Sequence, residues 1–141
     1  MQPEELIARE RIRDVIARYA HFADSGQFAE LTALFAEDGA LEIAGRPLLS
    51  GRDAILAFLE SVRRAPEPGT SPFIRHHVSS IRIDVQGTNE ATSASYFFVI
   101  TEHGPDHWGR YRDDFARVGE AWLFKRRRVR VDGKRILSAP A

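Results

Sequence analysis

The spacing of apolar residues changes once along this chain, and that change limits the folds it can adopt. Up to about residue 63 apolar residues recur every three or four positions, and from Phe73 onward they alternate. The first spacing is that of helices with one apolar stripe, and the second is that of strands. Helices followed by a run of strands indicate an α+β fold. Because neither part could close a core alone, we expect a single domain over residues 1–141.

The first part predicts three helices and a short strand. The stripe of the first helix, which should end at Ser25-Gly26, is Ile12, Val15, Ile16, Tyr19, Phe22 and Ala23. A short second helix carries Phe28, Leu31, Leu34 and Phe35, and a brief strand covers residues 40–44. Ser50 to Asp53 has capping-box spacing, and it should begin a third helix with Ile55, Phe58, Leu59 and Val62 inward. Residues 64–72, with three prolines and a glycine, predict a mobile loop.

Four longer strands are predicted in the second part, separated by short turns. Their ranges are 73–86, 91–103, 107–118 and 121–132. Such short connections imply an antiparallel meander. To bury the helical stripes, the sheet must curl around the helices, which gives a cone with an open mouth.

Composition excludes several functions. The 20 basic and 20 acidic residues give zero net charge, which does not favour nucleic acid. The basic run at residues 125–130 lies in a strand that would divide it between two faces. With no cysteine, thiolate catalysis, disulfides and cysteine-bound metal are excluded. The first residues are charged and no apolar run approaches ~20 residues, so we expect a cytoplasmic protein without membrane contact.

Two adjacent histidines lie in the strand IRHHVSSIRID, residues 74–84. Successive side chains of a strand point to opposite faces. His77 shares its parity with the apolar Ile81, Ile83 and Val85. Alternation therefore predicts that His77 points inward and His76 outward, unless a bulge intervenes.

The next strand is apolar on both faces. Phe97, Val99, Thr101 and His103 share one parity, and Tyr96, Phe98 and Ile100 share the other. A strand of this kind needs cover on both sides. The helices cover one side, so we expect a homodimer, or a higher homo-oligomer, through the outer sheet face.

Polar residues of the inner face predict a cavity with acid–base chemistry. His77, His103 and Tyr111 can line it, and Asp24, at the end of the first helix, is the available carboxylate. An aspartate that reaches a buried histidine fixes its tautomer, so the histidine can act as a base near neutral pH. The candidate substrate-binding residues of the apolar lining are Tyr19, Tyr111, Phe22, Phe58, Phe97 and Phe115.

The element order, with the opening IARYAHFADSGQFAELTALFAEDGALEI, resembles the SnoaL-like branch of the NTF2-like superfamily. Within it, the pattern is similar to that of the scytalone dehydratases and the hexachlorocyclohexane dehydrochlorinases. This resemblance maps the catalytic Asp–His–His set of these enzymes onto Asp24, His77 and His103. It implies a lyase or isomerase that uses neither cofactor nor metal, on a small hydrophobic, oxygenated or cyclic substrate. Asp24 would orient His77, and His103 or Tyr111 would assist the leaving oxygen.

Other interpretations stay open. His77 can be a core histidine bonded to backbone or Ser79, His103 a strand end at a turn, and Asp24 a solvated helix terminus. A metal site formed by Asp24, His77 and His103 is a further alternative, although the sequence has no compact ligand spacing that would indicate one. The superfamily also includes non-catalytic binding or assembly modules, such as dioxygenase small subunits, and fold alone does not decide between these functions.

Overall fold

The computed structural model describes residues 1–63 and 73–136. In these ranges the elements, in chain order, are α1 (Pro3–Ser25), α2 (Phe28–Thr32), β1 (Phe35–Ile43), β2 (Leu49–Ser50), α3 (Arg52–Ser61), β3 (Ile74–Gln86), β4 (Glu90–Thr101), β5 (Gly104–Val118) and β6 (Ala121–Lys134). The α+β prediction is confirmed. The predicted loop at residues 64–72 lies outside the described residues.

A single six-stranded sheet has the order β2-β1-β6-β5-β4-β3. Strands β3 to β6 form the antiparallel meander that the short turns predict. The sequence did not indicate that β1 joins β6 in parallel. Strand β3 is left at one edge, and α1 packs against it. This edge is where the candidate site lies.

The core forms between the stripe of α1 and the inner face of the sheet. Ile12, Ile16 and Tyr19 of α1 are buried together with Phe115 and Phe124 of the sheet. Burying each such side chain stabilises the fold by about 1.5–3 kcal/mol. The helix ends as predicted, because Gly26 takes a left-handed conformation at φ 70°.

Three local predictions are wrong. No side chain caps α3, whose N-cap is Gly51 at φ 88°, so the capping-box pattern is not used. The helix ends at Ser61, which leaves Val62 50% exposed instead of inward. Phe35 begins β1 rather than continuing α2, and it is fully buried there.

A bulge in β3 reverses the prediction about the two histidines. Ser79 pairs with Tyr96 but Arg82 pairs with Ala94, so β3 holds one more residue here than β4. Ser80 lies in this bulge at φ 53°. Inward side chains therefore have even numbers before the bulge and odd numbers after it. As a result His76 is partly buried and His77 is exposed.

The outer face of the sheet carries exposed aromatic side chains, as the pattern of β4 predicts. Tyr96 is 58% exposed, Phe98 39% and Trp108 of β5 43%. In residues 1–63 and 73–136, no helix has both the length and the apolar character that crossing a membrane requires.

Candidate active site

Asp24 lies in the last turn of α1, where a carboxylate is at the negative end of the helix dipole. It is held there by two donors of His76. The backbone N–H of His76 donates to both oxygens, with N–O distances of 3.0 and 3.1 Å. The Nδ1 atom of His76 is 2.6 Å from Asp24 Oδ1. Asp24 thus fixes both the backbone and the ring of one histidine.

The edge position of β3 explains why the His76 N–H is available. An edge strand leaves alternate N–H and C=O groups without a strand partner, and proteins cover them. Helix α1 supplies the cover at both ends of β3. Asp24 binds the His76 N–H, and Arg9 Nη1 donates to the Ile83 carbonyl at 2.7 Å.

The Asp24 contact sets the tautomer of the His76 ring. A carboxylate only accepts hydrogen bonds, so Nδ1 carries the proton that it shares with Asp24. In the neutral ring the lone pair is then on Nε2. The side chain of Asp24 is only 13% exposed and that of His76 only 18%. The pair is sheltered from bulk water but not sealed from a ligand.

A groove of about 760 Å³ between α1 and β3 begins at this pair. That volume is within the range of small-molecule sites, ~300–1,000 Å³. Its apolar lining consists of Ile16, Ala17, Ala20, Val78 and Ile81. Besides Asp24 and His76, its polar lining consists of Arg13, His21, Ser25, Arg75 and His77. The arrangement places a base beside an apolar surface that is large enough for a ring system.

The other two predicted catalytic side chains form no hydrogen bond or ion pair with Asp24 among the described residues, although His77 is part of the groove lining. The ring of His77 stacks on Phe98 on the outer sheet face, with centroids 4.7 Å apart. His103 lies in the turn between β4 and β5, where its side chain is 57% exposed and Nε2 is 3.5 Å from Glu102 Oε1. The predictions that His77 points inward beside Asp24, and that His103 shares its cavity, are wrong. The bulge reverses the first, and β4 ends at Thr101, before His103.

The aromatic candidates are not among the described residues that line the groove. Tyr19, Tyr111, Phe97 and Phe115 are buried in the core, and Phe22 and Phe58 are partly buried. The ring of Tyr111 stacks on Phe97, with centroids 4.5 Å apart. Their roles in substrate binding stay predictions.

A buried ion pair lies among these aromatic rings. Arg127 Nε is 3.0 Å from Asp113 Oδ1, and both side chains are 0% exposed. The guanidinium carbon is 3.5 Å from the Tyr111 ring centroid and 4.2 Å from that of Tyr19. Burial raises the pKa of both tyrosines, partly offset by the positive charge of Arg127. The negative charge of Asp24 is the smallest of the causes that raise the pKa of Tyr111.

The inward orientation of His76 and the Asp113–Arg127 pair were not predicted from the sequence. Ile74, His76 and Val78 share one parity and Ile81, Ile83 and Val85 the other, so a phase break between them was visible. The Asp113–Arg127 pair depends on the register of β5 against β6, in which the two residues are directly opposite. Alternation places Asp113 inward with Tyr111 and Phe115, but Arg127 lies inward only because β6 holds one extra residue between Phe124 and Arg126.

The metal alternative has no assembled ligand set in the part of the chain that the structure describes. No group of three or more histidine, aspartate or glutamate side chains is close enough there to hold an ion. Asp24, His77 and His103 form no such group among the described residues.

The curved sheet with a helix across its edge, and a groove that starts at an Asp–His pair, define an NTF2-like α+β cone. The chain belongs to the SnoaL-like domain family, whose model matches residues 4–128. Sequence comparison with curated proteins finds no match.

Solved structures similar to this chain share the fold over most of their length. A provisionally assigned scytalone dehydratase from Novosphingobium aromaticivorans is 29% identical, with a TM-score of 0.82 and coverage of 100% of this chain and 95% of that one. An NTF2-like protein with a cystatin-like fold from the same organism is 28% identical, with a TM-score of 0.73 and coverage of 89% and 83%. A Catenulispora acidiphila protein in complex with S-DNPA is 26% identical, with a TM-score of 0.76 and coverage of 89% and 93%.

Proposed function

We propose that this protein is a cofactor-independent lyase or isomerase in which Asp24 and His76 perform acid–base catalysis. The substrate is a small, largely hydrophobic, oxygenated or cyclic molecule bound in the groove between α1 and β3. The observation that carries the proposal is the 2.6 Å contact between Asp24 Oδ1 and His76 Nδ1 at the end of that groove. The proposal assigns no step to His77 or His103.

In the proposed reaction His76 moves one proton. Nε2 removes a proton from a carbon next to a carbonyl, and the electron pair of that C–H bond forms an enolate. The imidazolium is stabilised by Asp24 through Nδ1. In a dehydration, the enolate expels a β-hydroxyl group, which takes the proton from Nε2 and leaves as water. In an isomerisation, Nε2 returns the proton to another carbon of the same delocalised system.

The comparisons support this class of reaction without naming the substrate. The Novosphingobium protein with 29% identity is provisionally assigned as a dehydratase, which is an enzyme that eliminates water. The Catenulispora protein was solved in complex with the small molecule S-DNPA. Positioned acid–base catalysis contributes roughly 10²–10⁴-fold to a rate. The groove would supply the remainder by orienting the substrate.

The decisive experiment measures hydrogen exchange and water loss in a panel of β-hydroxy ketones and cyclic ketones. Incubation in deuterated buffer and NMR detect both reactions. The test variant is His76→Asn, because the amide nitrogen can still donate to Asp24 while the atom equivalent to Nε2 is lost. We expect the rate to fall by roughly 10²–10⁴-fold.

A more distant histidine provides a matched control. His103→Asn makes the same substitution in the turn between β4 and β5, at a residue that does not line the groove, and should change the rate by less than about twofold, the range of an exposed substitution. Equal turnover by the wild type and His76→Asn would refute the proposal. Saturable binding of the panel without turnover by the wild type would favour the non-catalytic binding module instead.

We also propose that the outer sheet face forms the homodimer. Its exposed aromatic row runs across three strands, because His77 pairs with Phe98 and Phe98 pairs with Trp108. Exposed aromatic side chains in one contiguous patch are typical of protein interfaces.

Charges on the same face are complementary to a second copy. A basic row contains Arg82 and Arg112 on either side of Ala94, and the next row on this outer face contains Asp84 and Asp114 on either side of Thr92. A two-fold axis between the rows would oppose each basic row to the acidic row of the second copy. Sedimentation of Phe98→Asp should show monomers, whereas Val118→Asp, at an exposed position in the β5–β6 hairpin, should remain dimeric. A monomeric wild type would contradict this assembly.

A further inference from the structure

We propose that the groove selects an elongated ring compound with a carboxylate at one end, and that Arg13 binds this carboxylate. The opposite end of the molecule then lies at His76. This inference deepens the function proposed above and rests on it for the reacting end, whereas the recognition of the carboxylate can be tested by itself.

The positions of Arg13 and Asp24 define the length of the groove. Helix α1 runs antiparallel to β3, because Asp24 contacts His76 near the start of the strand and Arg9 contacts Ile83 near its end. Arg13 precedes Asp24 by eleven residues. At 1.5 Å per helical residue this separation is about 16 Å. A molecule of two or three fused rings with an acid group fits such a span.

Arg13 differs from its neighbours on α1 in having no protein partner. Arg9 and Arg11 donate to the carbonyls of Ile83 and Glu120, and Arg18 forms an ion pair with Asp14 at 2.6 Å. Within residues 1–63 and 73–136, Arg13 makes no hydrogen bond or ion pair. Its guanidinium group therefore keeps its full donor capacity for a ligand.

The other cation of the groove is already engaged. Arg75 Nη1 donates to the carbonyl of Ile74, and its guanidinium lies 4.6 Å from the Phe73 ring centroid. The carboxylate of Asp24 is likewise occupied by His76. The lining consequently has an excess of positive charge in a chain of zero net charge.

The chemistry of a guanidinium group favours a carboxylate over other anchors. Its planar fork matches two carboxylate oxygens with parallel hydrogen bonds. Between Arg13 and Asp24, helix α1 lines the groove with Ile16, Ala17 and Ala20, and His21 follows next to Asp24. Rings would cover this surface. Binding the remote acid group would hold the reacting carbon at His76, which is how remote binding energy assists catalysis.

The test uses two fluorescent probes of the same shape, anthracene-2-carboxylate and anthracene-2-carboxamide. Their dissociation constants are measured by fluorescence titration at low and high salt. The wild type should bind the carboxylate about threefold to fivefold more tightly at low salt, the upper range for a partly exposed ion pair. High salt should reduce the preference. Arg13→Gln should abolish it.

Control variants separate this inference from the proposed reaction. Arg18→Gln removes the same charge from α1 at a residue outside the groove, and it should retain the preference. His76→Asn should also retain it, even though hydrogen exchange is lost. Equal affinity of the wild type for both probes, an unchanged preference in Arg13→Gln, or no saturable binding of either probe would each overturn the inference.

Discussion

Two pairs of an aspartate with a basic side chain lie in different parts of the cone, and they differ in exposure. Asp113 and Arg127 are both 0% exposed and are enclosed by aromatic rings. Asp24 and His76, at the edge of the sheet, are 13% and 18% exposed. In the first pair the polar atoms are turned away from any ligand. In the second pair Nδ1 of the ring is occupied and Nε2 is not.

This difference separates a structural pair from a reactive one. Two buried charges give up their hydration, and the attraction between them offsets that cost only while both are present. Among the residues that the structure describes, Arg127 Nη1 has no hydrogen-bond partner. A partly exposed pair costs less to form and can exchange a proton with a bound molecule. We therefore expect substitutions at Asp113 and Arg127 to affect stability, and substitutions at Asp24 and His76 to affect chemistry.

The largest predicted effect comes from breaking the buried pair. Arg127→Met leaves Asp113 as an uncompensated buried charge, and the free energy of unfolding should fall by about 3–5 kcal/mol. Urea denaturation followed by tryptophan fluorescence measures this change. Adding Asp113→Leu to Arg127→Met should recover a large part of the loss, since two apolar side chains then replace the pair.

The next residue of β6 provides the control for that prediction. Arg128 pairs with Asp114 at 2.9 Å, but the two side chains are 38% and 35% exposed. Arg128→Met should therefore lower the free energy of unfolding by less than about 1 kcal/mol. A loss as large as that of Arg127→Met would show that burial does not distinguish the two pairs.

Asp24→Asn should affect stability less than Arg127→Met does, and its main effect should be on turnover. The amide can donate to His76 Nδ1, which would favour the tautomer with the proton on Nε2 and remove the base. Turnover should fall roughly 10²-fold, while the free energy of unfolding should fall by only about 1 kcal/mol. Steady-state rates and urea denaturation on the same samples test both parts, and unchanged turnover would remove Asp24 from the mechanism.

The sequence predicted the fold better than the site because the two depend on different ranges of interaction. The helices and the meander follow from local spacing, and Asp24 follows from where the first helix ends. The identity of its partner depends on a single extra residue in β3, so alternation extended through Ser80 selected His77 in place of His76. Asp113 and Arg127 are fourteen residues apart and meet only through strand register.

A pH-dependent effect should mark the surroundings of the buried pair. Burial raises the pKa of Tyr19 and Tyr111 above the ordinary value of 10.0. The unfolded chain loses these protons first, so stability is complete below about pH 10 and falls as the pH rises further, by up to about 1.4 kcal/mol per pH unit for each tyrosine. Urea denaturation between pH 9 and roughly 11.5 measures the slope.

Two variants assign that slope. Tyr111→Phe should remove about half of it, because only Tyr19 then contributes. Tyr96→Phe changes a ring that is 58% exposed and should keep the full slope. An identical slope in all three proteins would show that the buried tyrosines do not govern alkaline unfolding.

The smallest predicted effect concerns the bulge that directs His76 toward Asp24. Ser80 has φ 53°, a conformation that costs a residue with a Cβ atom about 1 kcal/mol but costs glycine nothing. Ser80→Gly should therefore raise the free energy of unfolding by roughly 0.5 kcal/mol, less than the full strain because glycine has more conformational freedom in the unfolded chain. Ser80→Val, with a branched side chain at the same position, should lower it by about 1–2 kcal/mol. If valine were as stable as glycine, the bulge would not constrain β3 at this residue, and the orientation of His76 would need another cause.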